Sequence, residues 1–156
     1  MNRLIIIYII IQIPVLTCGQ PFTNGWIDYS KQYYKVQITE EGIYRIGTNE
    51  LLGAGISTGT INPQGIQLFF RGEEQYIYVA GEGDGVLDIG DYIEFHGKGN
   101  NGWLDTVLYS DPSWHANDNY SLYTDTSTYF LTWDINATTK RVTIENDINF
   151  TNYTPS

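Results

Sequence analysis

The chain has 156 residues, 18 Asp and Glu against 8 Lys and Arg, a formal net charge of −10, and 13 tyrosines, six phenylalanines and four tryptophans. So acidic a chain is a poor partner for nucleic acid or anionic lipid, whose phosphates attract cationic surfaces. Its length suits one domain, and its aromatic richness favours sheet, because flat rings pack well on a pleated surface.

Residues 1–19 read as a signal peptide. Asn2 and Arg3 precede an apolar run from Leu4 to Leu16, broken by Gln12 and Pro14, and Thr17 and Gly19 are small enough for cleavage before Gln20. The run falls short of the about 20 apolar residues a membrane span needs, so export rather than anchoring is expected, with no transmembrane span in the mature chain. A second reading is lipoprotein processing at Cys18, although Thr17 is bulkier than the residue usual before a lipidated cysteine. Cleavage at Gln20 removes the only cysteine, so the mature chain has no thiol and no disulfide.

Residues 20–32 form a leader around Trp26, and residues 33–146 carry the pattern of a β-rich domain. Tyr33 to Ile38 alternates, Thr39 to Gly42 is a turn, and Ile43 to Ile46 alternates again, which predicts a hairpin. Thr48 is placed to cap a short helix through Leu52, ended by Gly53 or Gly55. Asn62 and Pro63 turn the chain into the apolar run Ile66 to Phe70, and Arg71 to Glu74 turns it into Gln75 to Ala80, a second predicted hairpin. An acidic, glycine-rich turn then leads into a strand over Asp91 to His96, followed by a flexible loop with Gly97, Gly99 and Gly102. Trp103 to Tyr109 is a strand or an aromatic-packed loop, while Tyr120 to Tyr123, Thr128 to Trp133 and Arg141 to Glu145 each read as strands. Eight or nine short strands with one helical turn predict an all-β, antiparallel, sandwich-like fold. Residues 147–156 read as the start of a continuation into a larger chain.

The residue inventory argues against catalysis by this chain alone. The mature chain has no cysteine nucleophile, and His96 and His115 accompany no serine in a strand-to-helix elbow. Two scattered histidines without a thiol also make a poor zinc site. Glu73, Glu74, Glu82, Asp84, Asp88, Asp91 and Glu94 supply carboxylates, but nothing in the sequence holds two of them about 5–9 Å apart, as glycoside hydrolysis requires. Trp26, Trp103 and Trp114 are candidates for stacking on sugars, or else for sheet packing.

The stretch Gly81 to Gly97 admits two readings. With Gly85 at the sixth position of a calcium loop, Asp84, Asp88 and Asp91 fall at ligand positions and Glu82 is usable, but the first position is Ala80, which has no side-chain oxygen, and a strand rather than a helix follows. Alternatively, Asp84-Gly85 makes a tight turn, and Asp88 and Asp91 bond neighbouring backbone amides. No other cofactor is expected.

Several stretches taken together resemble a known family. YYKVQITEEGIYRI, INPQGIQLFFRG, VAGEGDGVLDIGDYIEFHGKG and NYSLYTDTSTYFLTWD with the following KRV are similar, in order and spacing, to the N-terminal region of type IX secretion sortases. These are PorU-like, gingipain-family cysteine peptidases of Bacteroidetes, and the similarity covers about Trp26 to Val142. The family's catalytic histidine and cysteine motifs match no residue here. The resemblance therefore implies a non-catalytic domain at the front of a surface peptidase, exported to the periplasm and then to the outer surface. Its implied partners are the peptidase domain of the same parent chain or other secretion proteins. Asp105-Thr106-Val107 also resembles the short acceptor motif for O-linked glycans in Bacteroidetes. The competing expectation is a free-standing surface adhesin or carbohydrate-binding module, motivated by the aromatic and acidic residues.

Overall fold

A computed structural model describes residues 24–115, 117 and 119–143. The expected signal peptide, Cys18, the first residues of the leader and the expected continuation at 147–156 lie outside the described residues. Within them, seven strands form two antiparallel sheets with one short α-helix and a few 3-10 turns, the expected all-β, sandwich-like class. The strands are β1 (Tyr34–Ile38), β2 (Gly42–Gly47), β3 (Ile66–Phe70), β4 (Glu73–Glu74), β5 (Ile77–Ala80), β6 (Tyr92–Gly97) and β7 (Ser127–Trp133). One sheet has the order β1-β7-β3-β4 and the other β2-β6-β5. Among the described residues no helix is long and apolar enough to cross a membrane.

Alternation along each strand decides which side chains meet between the sheets. Ile38, Ile66, Leu68, Tyr129 and Leu131 from the first sheet share one core with Ile77, Val79, Ile93 and Phe95 from the second. The Tyr129 ring bridges the layers, stacked at 4.2 Å on Phe70 beside it and 5.5 Å from Phe95 opposite. Leu51, Ile56, Ile61 and Leu87 close the core from the connecting segments. The outer face of the first sheet is itself covered, because Trp26 from the leader packs on Phe69 and Phe130 at 5.3 and 5.4 Å.

Both predicted hairpins need correction. β1 does not pair with β2: it runs beside β7, with Tyr34 opposite Leu131 and Ile38 opposite Ser127, while β2 runs beside β6 in the other sheet. Three residues separate β1 from β2, but the chain uses them to change layers. β1 gains more by pairing with β7, where Tyr34 stacks on Trp133 at 5.3 Å. The second hairpin survives only as the two-residue strand β4, paired with the end of β3. After Glu74 the chain changes layers again, and β5 pairs with β6. The chain makes no strand over Trp103 to Tyr109, where a 3-10 turn spans Asp105–Leu108, nor over Tyr120 to Tyr123. Of the strand expected at Arg141 to Glu145, Arg141 makes one parallel bridge to Ile77, and residues 144 and 145 lie outside the described residues.

The one α-helix among the described residues, α1 (Thr48–Gly53), begins one residue earlier than a Thr48 cap requires. Gly47 is the cap, Thr48 is buried as the first helical residue, and the Glu50 carboxylate accepts the Gly47 N–H at 3.0 Å. The helix closes through Gly55 and Ile56, whose amides donate to the carbonyls of Leu52 and Leu51. This is a Schellman arrangement with both Ile56 and Leu51 buried.

Arg141 ties the two sheets to each other. Its guanidinium donates to the Glu82 carboxylate at 2.8 Å and to the backbone carbonyls of Ile66, Pro63 and Gln64, each at 3.0 Å. One planar fork thus holds the entry to β3 and the acidic turn, while the backbone on either side of Arg141 bonds Ile77 of β5.

Candidate functional site

The acidic turn is held together by its own carboxylates and backbone. Asp84 accepts the Val86 N–H at 3.0 Å, an Asx turn that lets the chain reverse at Gly85. Asp91 accepts the Asp88 N–H at 2.7 Å, and the Asp88 carbonyl accepts the Asp91 N–H at 3.1 Å. Gly81, at φ +82°, lies against the Asp91 carboxylate so closely that a Cβ there would overlap it. Glu82 faces Arg141, and the Glu82 carbonyl accepts Gln64 Nε2 at 3.1 Å, which seats the turn on the neighbouring Pro63–Gly65 turn. The four carboxylates suggested by the sequence as calcium ligands, Glu82, Asp84, Asp88 and Asp91, are thus placed in one turn, but Glu82, Asp84 and Asp91 each bond a different partner, and Asp88 is exposed and joins the turn through its backbone. Among the described residues no group of three or more His, Cys, Asp or Glu side chains converges as metal ligands.

The other carboxylates are similarly dispersed. Glu74 accepts from Gln67 and from the Lys140 amide, and Glu94 pairs with Arg45 at 2.8 Å, whose guanidinium also lies 3.8 Å over the Tyr92 ring. His96 stands 3.2 Å from Glu41 on the exposed face of β6, and His115 lies beside Tyr109.

A more concentrated site lies where the β3–β4 turn meets the loop after β6. Phe70 and Glu73 are paired directly, leaving Arg71 and Gly72 as a two-residue turn with φ of +53° and +84°. Such a turn has both central residues left-handed, which suits Asn-Gly or Gly-Gly, and a side chain as large as arginine is disfavoured at the first position. Gly72 meets the demand, and the site for its absent Cβ is 3.1 Å from Trp26. Arg71 does not meet it, and its side chain is held out over a groove.

The groove has a volume of about 580 Å³ between Trp26, Phe70, Arg71, Trp103 and Phe130, with Asn100, Ser127 and Thr128 at its edge. A second hollow of about 570 Å³ adjoins it and shares Phe70, Arg71 and Asn100. Arg71 therefore stands on the ridge between two hollows. Its guanidinium lies 4.7 Å from the Phe70 ring centre and 4.3 Å from that of Trp103, and its Nη2 donates to Asn101 at 2.8 Å. Burial among these rings lowers its pKa below the ordinary arginine value.

The far wall is a tied loop. The Asn100 amide donates to the Asp125 carbonyl at 2.7 Å, Asn100 Nδ2 donates to the Thr124 carbonyl at 3.0 Å, and the buried Asp105 carboxylate accepts the Leu122 N–H at 2.7 Å. These bonds join residues 100–105 to 122–125 and present Trp103 to the groove.

Of the three tryptophans singled out in the sequence, Trp26 and Trp103 line this groove, whereas Trp114 is exposed on the loop beyond it. Arg71 and Asn100 were not anticipated. The available signal was an Arg-Gly pair at a strand-to-strand turn where Asn-Gly is the favoured chemistry. Comparison with protein-family models, curated proteins and solved structures gives no match to this chain.

Proposed function

We propose that this chain is a non-catalytic β-module at the front of a cell-surface cysteine peptidase of the type IX sortase kind, exported by its signal peptide, and that it docks on the peptidase domain of the same parent chain. The observation that supports docking is the character of the tied loop. Leu104, Val107, Leu108, Trp114, Tyr120, Leu122 and Tyr123 are all exposed, from 42 % at Leu104 to 76 % at Tyr123. Seven large apolar side chains within twenty positions are an unusual investment for a loop that faces only water. The loop's base is pinned by Asp105 and Asn100, so these side chains are displayed by a held backbone. The resemblance of the chain to the sortase N-terminal region supplies the partner.

The open reading frame tests the assignment. Continuation beyond Ser156 into a domain with a catalytic histidine and cysteine is expected, and a stop codon without such a domain overturns it. The docking surface is tested by Leu108→Glu and Tyr123→Asp, which should leave the melting temperature unchanged and weaken association with the separately produced peptidase domain.

A second reading is favoured by the groove rather than by the loop. Rings at Trp26 and Trp103 beside amide and hydroxyl groups suit a surface module that binds carbohydrate. Specific binding on a glycan array, lost in Trp103→Ala, is the expected result, and an array without specific binding overturns it.

A further inference from the structure

We infer that the groove between Trp26, Phe70, Arg71 and Trp103 binds a carboxylate-bearing sugar, a uronic-acid oligosaccharide, and that the Arg71 guanidinium takes the carboxylate. The inference deepens the carbohydrate reading of the groove and rests on it. It is compatible with either a free-standing module or the front domain of a larger enzyme.

The first support is the backbone. Arg71 occupies a left-handed position at φ +53°, the only described non-glycine residue with positive φ. Asparagine or glycine would close the same turn with less strain. Strain kept at an exposed turn points to use of the side chain it displays.

The second support is charge. Among the described residues, Arg45 and Arg141 each hold a carboxylate at 2.8 Å, whereas Arg71 has no carboxylate of a described residue within ion-pair distance. Its partners are two aromatic faces and one amide oxygen. A guanidinium clamped between rings in this way is oriented before a ligand arrives and offers its remaining N–H edge to a planar carboxylate.

The third is the shape and lining of the site. A pyranose has apolar C–H faces and hydroxyl edges, and the groove offers Trp26 and Trp103 rings together with Thr128, on the same face of β7 as Phe130, and with Asn100, whose amide is fixed by its bonds to the Thr124 carbonyl and the Gly102 N–H. About 580 Å³ is of the size that small ligands occupy, and the second hollow across Arg71 extends the path for a further sugar unit. The edge strand beside the groove, β4, is only two residues long and gives an extended peptide, which would dock by backbone pairing, little to pair with. Glu73 beside Arg71 in the groove disfavours a doubly charged phosphate more than a single carboxylate, and the adjoining hollow sets Lys98 beside Glu40, Glu41 and Asp125, which puts a cation in the lining that a second uronate unit would meet.

The test is isothermal titration of the full chain with digalacturonate, its methyl ester, cellobiose and a short peptide with a free C-terminal carboxylate. Binding of digalacturonate is expected, weakened at least about tenfold by esterification and by Arg71→Asn, and lost in Trp103→Ala. Arg71→Asn should leave the melting temperature unchanged or raised, since asparagine suits the turn. Equal binding of digalacturonate and its methyl ester would leave the sugar site standing and overturn the role of Arg71. Binding of none of the sugars would overturn both. Tighter binding of the peptide, or a melting temperature lowered by Arg71→Asn, would overturn the inference in favour of a peptide site or a purely structural arginine.

Discussion

Tyr129→Phe isolates one hydroxyl at the centre of the sandwich. Tyr129 is 1 % exposed, its ring is held between Phe70 and Phe95, and its oxygen accepts the Lys98 N–H at 2.9 Å. Phenylalanine keeps the ring contacts and leaves the Lys98 amide without that acceptor. An unsatisfied, partly buried amide costs about 1–3 kcal/mol, so a loss of about 1–2 kcal/mol is expected, a sizeable part of the roughly 5–15 kcal/mol that holds a domain folded. For a domain of this size the melting temperature should fall by about 4–8 °C.

Urea unfolding followed by tryptophan fluorescence should show the midpoint moving with an unchanged slope, because the buried area is nearly the same. The pH dependence gives a second readout. Burial is the main cause that raises the Tyr129 pKa, since it disfavours the phenolate, while the Lys98 amide acts in the opposite direction. A folded pKa above the unfolded one means that the associated stability is present below about pH 10 and is lost as pH rises through the folded value. The gap between wild type and Tyr129→Phe should therefore narrow above about pH 10. Equal midpoints at neutral pH, or a gap that stays constant into the alkaline range, would refute the reasoning.

Other perturbations address the remaining supports of the fold. Arg141→Ala removes the fork that holds Glu82 and three carbonyls, and a loss of about 2–4 kcal/mol is expected in the same urea assay; Arg141→Lys should recover only part of it, since an ammonium cannot reach all four acceptors. Gly81→Ala sets a Cβ against the Asp91 carboxylate at φ +82° and should cost about 1–3 kcal/mol, most of which returns in the double variant with Asp91→Gly if the overlap rather than the dihedral dominates. The hydrogen bond from Lys31 at 2.8 Å is the first cause holding the Asp134 carboxyl below its ordinary pKa, so its stabilisation is present above about pH 4 and lost as pH falls through the folded value. Thermal melts of Asp134→Asn should accordingly show a shallower acid limb than wild type. Millimolar calcium is expected to leave the melting temperature in place, because Glu82 faces Arg141 and Asp91 is bonded to the turn's own amide; a saturable rise abolished by Asp88→Ala would show that the turn rearranges around the ion.

The strands themselves were largely legible. Ile66 to Phe70, the β-branched run at Ile77 and the alternation through Tyr92 to His96 and Thr128 to Trp133 announce β3, β5, β6 and β7, and the Asp84-Gly85 reversal announces its Asx turn. Trp26 and Trp103 were visible as candidate ring platforms, but their meeting was not. Trp26 arrives from the leader, Trp103 from the loop after β6, and Arg71 from the β3–β4 turn, so no sequence window contains the groove.

Local sequence determined the faces of the strands, the short helix with its Gly55 exit and the closure of the acidic turn, because alternation, helix ending and Asx bonding act over a few residues. Tertiary structure alone decided the partition into sheets. Every strand has two hydrogen-bonding edges that the pattern of its side chains does not distinguish, so β1 passed over its neighbour β2 for β7, some ninety positions away, where Tyr34 meets Trp133 and Ile38 joins the core. It likewise decided the role of Arg141, whose acceptors lie 59 to 78 positions earlier in the chain. Arg71 acquired its setting in the same way, since a charged side chain at a turn becomes a site only when distant rings close around it.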